Sequence, residues 1–189
     1  MANKRQLTGG TGDVNPQFLS ASVLQTGTDS TNVFPLTTPI VRVGQDRSGT
    51  ATIMEFLKVF FTLPEVKVDQ GGAVSVSAAE ISILTASPSP TTTVVPAGSS
   101  KVLCNARYTN KHAFTAAGTG LLGQTSMPHV IDLTDGAGHG VLVGTDVVFI
   151  QVATEGQTSA KPFEVKILYR FKTVALAEYI GIVQSQQGS

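Results

Sequence analysis

The stretch KPFEVKILYRFKTV, residues 161–174, determines the fold class of this chain. Its apolar and charged residues alternate, and alternate side chains of an extended strand point to opposite faces. The apolar set is Phe163, Val165, Ile167, Tyr169 and Phe171, and the charged set is Glu164, Lys166, Arg170 and Lys172. The pattern predicts a long, half-buried β-strand with a core on one side and a polar surface on the other.

Further strand-like runs occur along the rest of the chain. In ATIMEFLKVFFTL, residues 51–63, both alternate sets are apolar, and the β-branched and aromatic content and the stop at Pro64 favour a strand over a short helix. Such a strand is expected to meet the core on one side and another element or subunit on the other. Other strands are predicted within 18–25, 33–43, 74–85, 101–108, 130–133, 146–153 and 179–183. Pro35 and Pro39 confine the 33–43 segment to a sheet edge or an irregular approach.

Connections of uneven length separate these runs. Residues 87–100 and 110–128 are predicted to be loops, and DGAGHG, residues 135–140, is predicted to be a turn between two strands. With about eight to ten strands and no helix of normal length, the chain is predicted to be all-β. The expected architecture is a single jelly roll, a two-sheet antiparallel β-sandwich, over residues 17–189, preceded by a flexible N-terminal arm over residues 1–16.

Composition limits the possible functions. Only 14% of the residues are charged, against about a quarter in soluble domains, so much of the surface is uncharged or covered by other copies. Cys104 is the only cysteine, which excludes an intrachain disulfide, and its place in KVLCNARY predicts a small buried apolar side chain. We expect no secretory signal and no membrane-spanning segment, and a protein made in the cytosol that stays soluble.

The candidates for catalytic or metal chemistry are weak. His129 and His139 are near two aspartates, Asp132 and Asp135, but the spacing matches no metal motif. If residues 130–133 form a strand, His129 and Asp132 point to opposite faces. His129 and His139 are therefore only weak metal candidates; no cofactor, catalytic residue or enzymatic activity is predicted.

A glycine motif and scattered cations are candidates for nucleotide and nucleic-acid sites. Gly118, Gly120 and Gly123 spell G-x-G-x-x-G, but without a preceding strand and following helix the motif predicts a loop. The candidate nucleic-acid contacts are Lys4, Arg5, Lys166, Arg170 and Lys172. The last three form a stripe on one strand face, a pattern that more often indicates a solvated face or a row of salt bridges between subunits. Weak contacts of this kind matter when many copies act together.

Three stretches carry a family resemblance. DVVFIQVATEG (146–156) is followed by a short polar turn and the long strand PFEVKILYRFKTV (162–174), while TATIMEFLKVFFTLP (50–64) is an apolar run closed by proline. In these stretches the chain resembles the capsid proteins of circovirus-like, Rep-encoding circular single-stranded DNA viruses. The resemblance implies a homo-oligomeric icosahedral shell of jelly rolls enclosing single-stranded DNA. It also implies a virion protein made in the host cytoplasm and assembled there or in the nucleus, with an unidentified host receptor and no membrane partner.

The N-terminus departs from that family. Its members usually begin with an arginine-rich arm that contacts the genome, whereas this chain begins with the nearly neutral MANKRQLTGGTG. We therefore expect the arm to act in assembly, so deleting residues 2–16 should weaken assembly.

Two other classes of function stay open. One is a binding module, such as a carbohydrate-binding sandwich or the receptor-binding domain of a fibre, although the absence of Trp and the presence of only three Tyr disfavour a lectin. The other is an enzyme on a cupin-like jelly roll, for which the region from His129 to His139 is the only metal candidate.

Overall fold

The computed structural model describes residues 16–26, 30–39, 42–43, 49–64, 74–89, 92–113, 128–157 and 159–187. Lys4 and Arg5, the rest of the expected arm before Pro16, and the glycine motif at residues 118–123 lie outside the described residues. The domain boundary at residues 16 and 17 stays a prediction.

The described residues form ten strands and one helix. The strands are β1 (Gln17–Gln25), β2 (Thr31–Thr37), β3 (Arg42–Val43), β4 (Thr50–Thr62), β5 (Val74–Leu84), β6 (Val102–Ala113), β7 (Pro128–Asp132), β8 (Val141–Val143), β9 (Val147–Glu155) and β10 (Lys161–Ala175). The helix is α1 (Leu176–Gln187).

The strands pair into two antiparallel sheets. The first sheet has the order β1-β10-β4-β3, and the second has the order β2-β9-β5-β6. The short strands β3, β8 and β7 pair with successive parts of β4, so they form one interrupted strand along that edge. Counted this way, the molecule has two four-stranded sheets, and the chain crosses between them after β1, β2, β4, β6, β8 and β9. This is the eight-stranded jelly roll, and the predicted fold class is confirmed.

The main core lies between the two sheets. The alternation predicted for residues 161–174 is confirmed, because Phe163, Val165, Ile167 and Tyr169 are buried in this core and Phe171 packs against it. Cys104 of β6 is also buried there, as expected. Pro35 lies in β2, at an edge of the second sheet, which confirms the edge prediction.

A β-bulge explains the two-sided apolar pattern of β4. Leu57 has no partner on β10, because the pairing passes from Phe56 to Lys58. The extra residue shifts the alternation by one position. The core residues are therefore Met54 and Phe56 before the bulge, and Val59 and Phe61 after it. Much of the apparent second apolar face is thus a single inner face whose phase changes at Leu57.

Helix α1 covers one end of the outer face of the first sheet. Ala51, Ile53 and Val174 form a small second cluster there, against which Tyr179 and Ile182 of α1 pack. This confirms that β4 meets another element on its outer side. The strand predicted within residues 179–183 was wrong, as was the expectation of no normal helix. A short apolar run does not distinguish a buried strand from a helix, and here Tyr179 and Ile182 share a helical face.

Two boundaries also differ from prediction. Strand β6 continues to Ala113, so the loop predicted over residues 110–128 began too early, and β8 was missed because it is only three residues long. The predicted turn at residues 135–140 does connect β7 and β8. Gly136 and Gly138 adopt positive φ angles of 82° and 88° in it, which glycine tolerates.

Candidate functional site: the outer face of the first sheet

The outer face of the first sheet carries the predicted cation stripe. Lys166, Arg170 and Lys172 project from β10 on the side opposite the core, as their alternation with the buried residues requires. The pairing register places Ser20 and Phe60 on either side of Lys166. Lys166 therefore lies between β1 and β4 on this face.

Towards the C-terminal end of β10, the cations of the stripe surround a buried carboxylate. Glu55 of β4 is fully buried and accepts hydrogen bonds from Nε of Arg170 and, at 2.9 Å, from the backbone N–H of Gly140. The Nζ atom of Lys172 is 3.7 Å from the same carboxylate. Arg170 also donates through Nη2 to the carbonyl oxygen of Gly138 at 3.0 Å. Arg170 and Lys172 therefore share one intramolecular counter-charge, and Arg170 and Glu55 tie the 136–140 turn to the sheet.

The charge state of Glu55 follows from these contacts. Burial alone would raise the pKa of Glu55, but the hydrogen bonds from Arg170 and Gly140 and the charges of Lys172 and Arg170 together lower it below its ordinary value. The group is an anion at neutral pH. Sequence reasoning missed this role, although one acid inside an apolar strand is a usable signal, because a buried charge needs a partner.

Towards the N-terminal end of β10, Lys166 borders an open groove. The groove has a volume of about 540 Å³ and is lined by Phe18, Ser20, Ala21, Ser22, Phe60, Thr62, Glu164, Val165 and Lys166. The rings of Phe18 and Phe60 meet at 58° with centroids 6.3 Å apart. The Nζ atom of Lys166 lies 4.1 Å from the centroid of the Phe18 ring, a cation–π contact. The groove can therefore offer a ligand an aromatic surface, a cation, hydroxyl groups and one carboxylate.

The edge of the same face carries an exposed ion pair. Lys58 Nζ is 3.0 Å from Oδ2 of Asp132. The pKa of Asp132 is lowered to about 2 by hydrogen bonds from the side chain and backbone of Thr134 and by Lys58. This pair neutralises Lys58 at the β7 edge.

The two weak metal candidates are not brought together. His129 lies in β7, and its half-buried position alternates with the exposed Asp132, as the strand predicts. His139 lies in the turn, where Nδ1 is 3.0 Å from Oδ2 of Asp135. Within the described ranges no three His, Cys, Asp or Glu side chains gather in a group that could hold a metal ion.

The single thiol lies away from this face. Cys104 is 8% exposed, and burial raises the pKa of its thiol to about 12. The thiol therefore stays protonated at neutral pH, and a thiolate nucleophile is not formed.

Helix α1 is the one helix among the described residues. In the part of the chain that the structure describes, α1 has neither the length nor the apolar content of a membrane-spanning helix.

Comparisons with known proteins gave structural likenesses only. No family model and no curated protein sequence matches this chain. VP1 of the Trichodysplasia spinulosa-associated polyomavirus is 11% identical, with 84% of this chain and 96% of that chain covered and a TM-score of 0.47. The unassembled VP1 pentamer of Merkel cell polyomavirus is 12% identical, with 87% of this chain and 98% of that chain covered and a TM-score of 0.46. Merkel cell polyomavirus VP1 in complex with disialyllactose is 13% identical, with 84% of this chain and 95% of that chain covered and a TM-score of 0.44. Structural similarity at these low identities and TM-scores does not indicate what the present chain binds or assembles into.

Proposed function

We propose that this chain is a viral capsid subunit that self-assembles into a small icosahedral shell around single-stranded DNA. The observation that carries the proposal is the strand order, which is that of the jelly roll, a fold used by capsid proteins as well as lectins and cupins. The stretches that resemble circovirus-like capsid proteins form β4, β9 and β10. Strands β10 and β4 pair at the centre of the first sheet, and β9 lies inside the second, so the resemblance falls on the framework of the fold.

The surface of the subunit supports association with other copies. Five large apolar side chains are exposed among the described residues: Phe18, Leu24, Val130, Leu176 and Ile180. Phe18, Leu24 and Val130 belong to the first sheet, and the other two belong to α1. With so few charged residues to keep subunits apart, Leu24, Val130, Leu176 and Ile180 favour contacts with neighbours.

The proposal assigns no catalytic residue and places the protein in the virion. Genome contact is proposed for Lys4, Arg5, Lys166, Arg170 and Lys172. Among the three on β10, Lys166 carries the larger role, because Arg170 and Lys172 already share the carboxylate of Glu55. Assembly in the host cytoplasm or nucleus and attachment to a host receptor belong to the same proposal.

Sedimentation velocity of the purified recombinant protein tests the proposal. We expect one fast-sedimenting species of uniform size, and its ratio of absorbance at 260 and 280 nm reports whether nucleic acid is enclosed. A monodisperse monomer or trimer at high concentration would overturn the shell and favour a binding module or a fibre domain.

A further inference from the structure

The groove beside Lys166 has one aromatic wall. Phe18 of β1 and Phe60 of β4 lean together across β10, and the Phe18 side chain is 54% exposed. An apolar ring held in this position provides a flat surface on which a planar group can stack. Nucleobases stack on such rings regardless of their identity, because every base has a π-face.

The same groove has one cation that is not committed to a carboxylate. Lys166 contacts the Phe18 ring but forms no ion pair with a described residue, whereas Lys58 and Lys172 on the same face are each paired with an acid. A base that stacks on Phe18 would displace the ammonium group from the ring. The flexible Lys166 side chain can then follow the phosphate attached to that base.

Polar groups complete the groove. Ser20, Ser22 and Thr62 supply hydroxyl donors for phosphate or sugar oxygens. Glu164 can accept a hydrogen bond from an exocyclic amino group of a base. Its negative charge disfavours phosphate at that end of the groove, so the phosphate is expected at the Lys166 end.

We propose that this groove binds one nucleotide of single-stranded DNA, with the base on Phe18 and the phosphate at Lys166. A base within a duplex has both faces covered by its neighbours, so the groove is expected to prefer single strands. The inference rests on the proposed function, which supplies the genome as the ligand. It adds the site and its mode of recognition.

The test is a fluorescence anisotropy titration of a labelled oligodeoxycytidine of about 20 nucleotides, whose bases carry an exocyclic amino group and whose length spans one or more sites of this class. The full-length protein is used at a concentration where light scattering shows no particles, and assembly of each variant is measured separately at high concentration. Phe18→Ala should weaken binding about tenfold without changing the salt dependence. The plot of log affinity against log salt has a negative slope, and Lys166→Met should make that slope less negative by about 0.7. Leu24→Ala, 51% exposed on the same strand but outside the groove, is the matched control and should bind like the parent protein.

The outcomes separate this inference from the shell. If Phe18→Ala binds within twofold of Leu24→Ala, if the salt slope of Lys166→Met is unchanged, or if a duplex of equal length binds as tightly, the groove is not a nucleotide site. Particles formed alongside such a result would leave the shell proposal standing. The predicted binding pattern in a protein that never assembles would support the groove and refute the shell.

Discussion

Glu55 is a carboxylate buried in the middle of an apolar strand, and Arg170 is its main partner. The side chain of Arg170 is only 18% exposed, so removing the acid leaves a poorly hydrated cation without its counter-charge. We predict that Glu55→Ala lowers the free energy of unfolding by about 3–5 kcal/mol, as is usual when one half of a buried pair is removed. Urea denaturation measures the change.

The matched control is Glu164→Gln, which removes an exposed acid from the same sheet face. It should change the free energy of unfolding by no more than about 0.5 kcal/mol. If both substitutions changed the free energy of unfolding equally, the pairing of Glu55 with Arg170 would not stabilise the fold.

The depressed pKa of Glu55 predicts a pH dependence with a definite sign. A carboxyl group with a lowered folded-state pKa stabilises the fold fully above its unfolded pKa, near 4.5, and loses that contribution as pH falls through the folded value. The stability difference between the parent protein and Glu55→Gln should therefore shrink as pH drops from 6 to below about 4. Urea midpoints at several pH values measure it; a difference that is constant or grows in acid would refute the assignment.

Gly140 is required where the turn rejoins the sheet. A Cβ atom at this position would lie 2.1 Å from the carbonyl oxygen of Phe56 and 2.8 Å from its carbon, and backbone atoms in a central strand cannot move aside easily. Gly140→Ala is predicted to lower stability by more than about 2 kcal/mol. Gly98→Ala is the control, because a Cβ atom added at Gly98 meets no atom within 4 Å. This control should leave the stability nearly unchanged, and thermal unfolding of both variants measures the difference.

At the scale of elements, Gln186 attaches helix α1 to the sheet. Its side-chain amide donates to the carbonyl of Leu142 at 2.6 Å and accepts from the N–H of Gly144 at 3.1 Å. We predict that Gln186→Ala costs about 1–3 kcal/mol, because these backbone groups lose their partner. Hydrogen exchange should also accelerate through α1. The exposed neighbour Gln184→Ala is the control, and equal exchange in both variants would contradict this role.

A second glutamine fixes a loop to the other sheet. The side chain of Gln151, 1% exposed, donates to the carbonyl of Thr93 at 2.9 Å and accepts from the N–H of Val95 at 2.8 Å. Buried amides that bridge backbone groups in this way order segments with no secondary structure of their own. The loop of residues 92–100 thus covers the outer side of β9.

The elements show which sequence signals were sufficient. Strict alternation located β10 and its inner face residue by residue, because the period of two is maintained over its length. In β4 the same signal was obscured, since the bulge at Leu57 changes the phase and makes one buried face resemble two. Helix α1 was missed because the prediction was confined to residues 179–183. Together with Leu176, the residues Tyr179, Ile180 and Val183 show the i, i+3, i+4, i+7 spacing of a helix.

The candidate site was less predictable than the fold. Alternation placed Lys166, Arg170 and Lys172 on one face, but only the register between β4 and β10 brings Glu55 beside two of them. The contact of Phe18 with Phe60 joins residues from two strands that do not pair with each other. Such contacts depend on the order of strands in the sheet, which alternation does not specify.

At the scale of the whole molecule, Cys104 reports on opening of the core. It is buried in the cluster between the sheets, and burial raises its pKa to about 12, so it should react with a thiol reagent only when the fold opens. We predict negligible labelling at neutral pH in buffer and rapid labelling in denaturing urea, followed by absorbance. Rapid labelling of the native protein would contradict the packing of β6 against the first sheet.

Assembly is the central claim, and it follows from a jelly-roll framework with low charge and apolar side chains left exposed. Negative-stain electron microscopy of the purified full-length protein tests it most directly. The proposal predicts closed, round particles of uniform diameter. Fields of separate single subunits or small oligomers, at concentrations where light scattering also finds no large species, would contradict it.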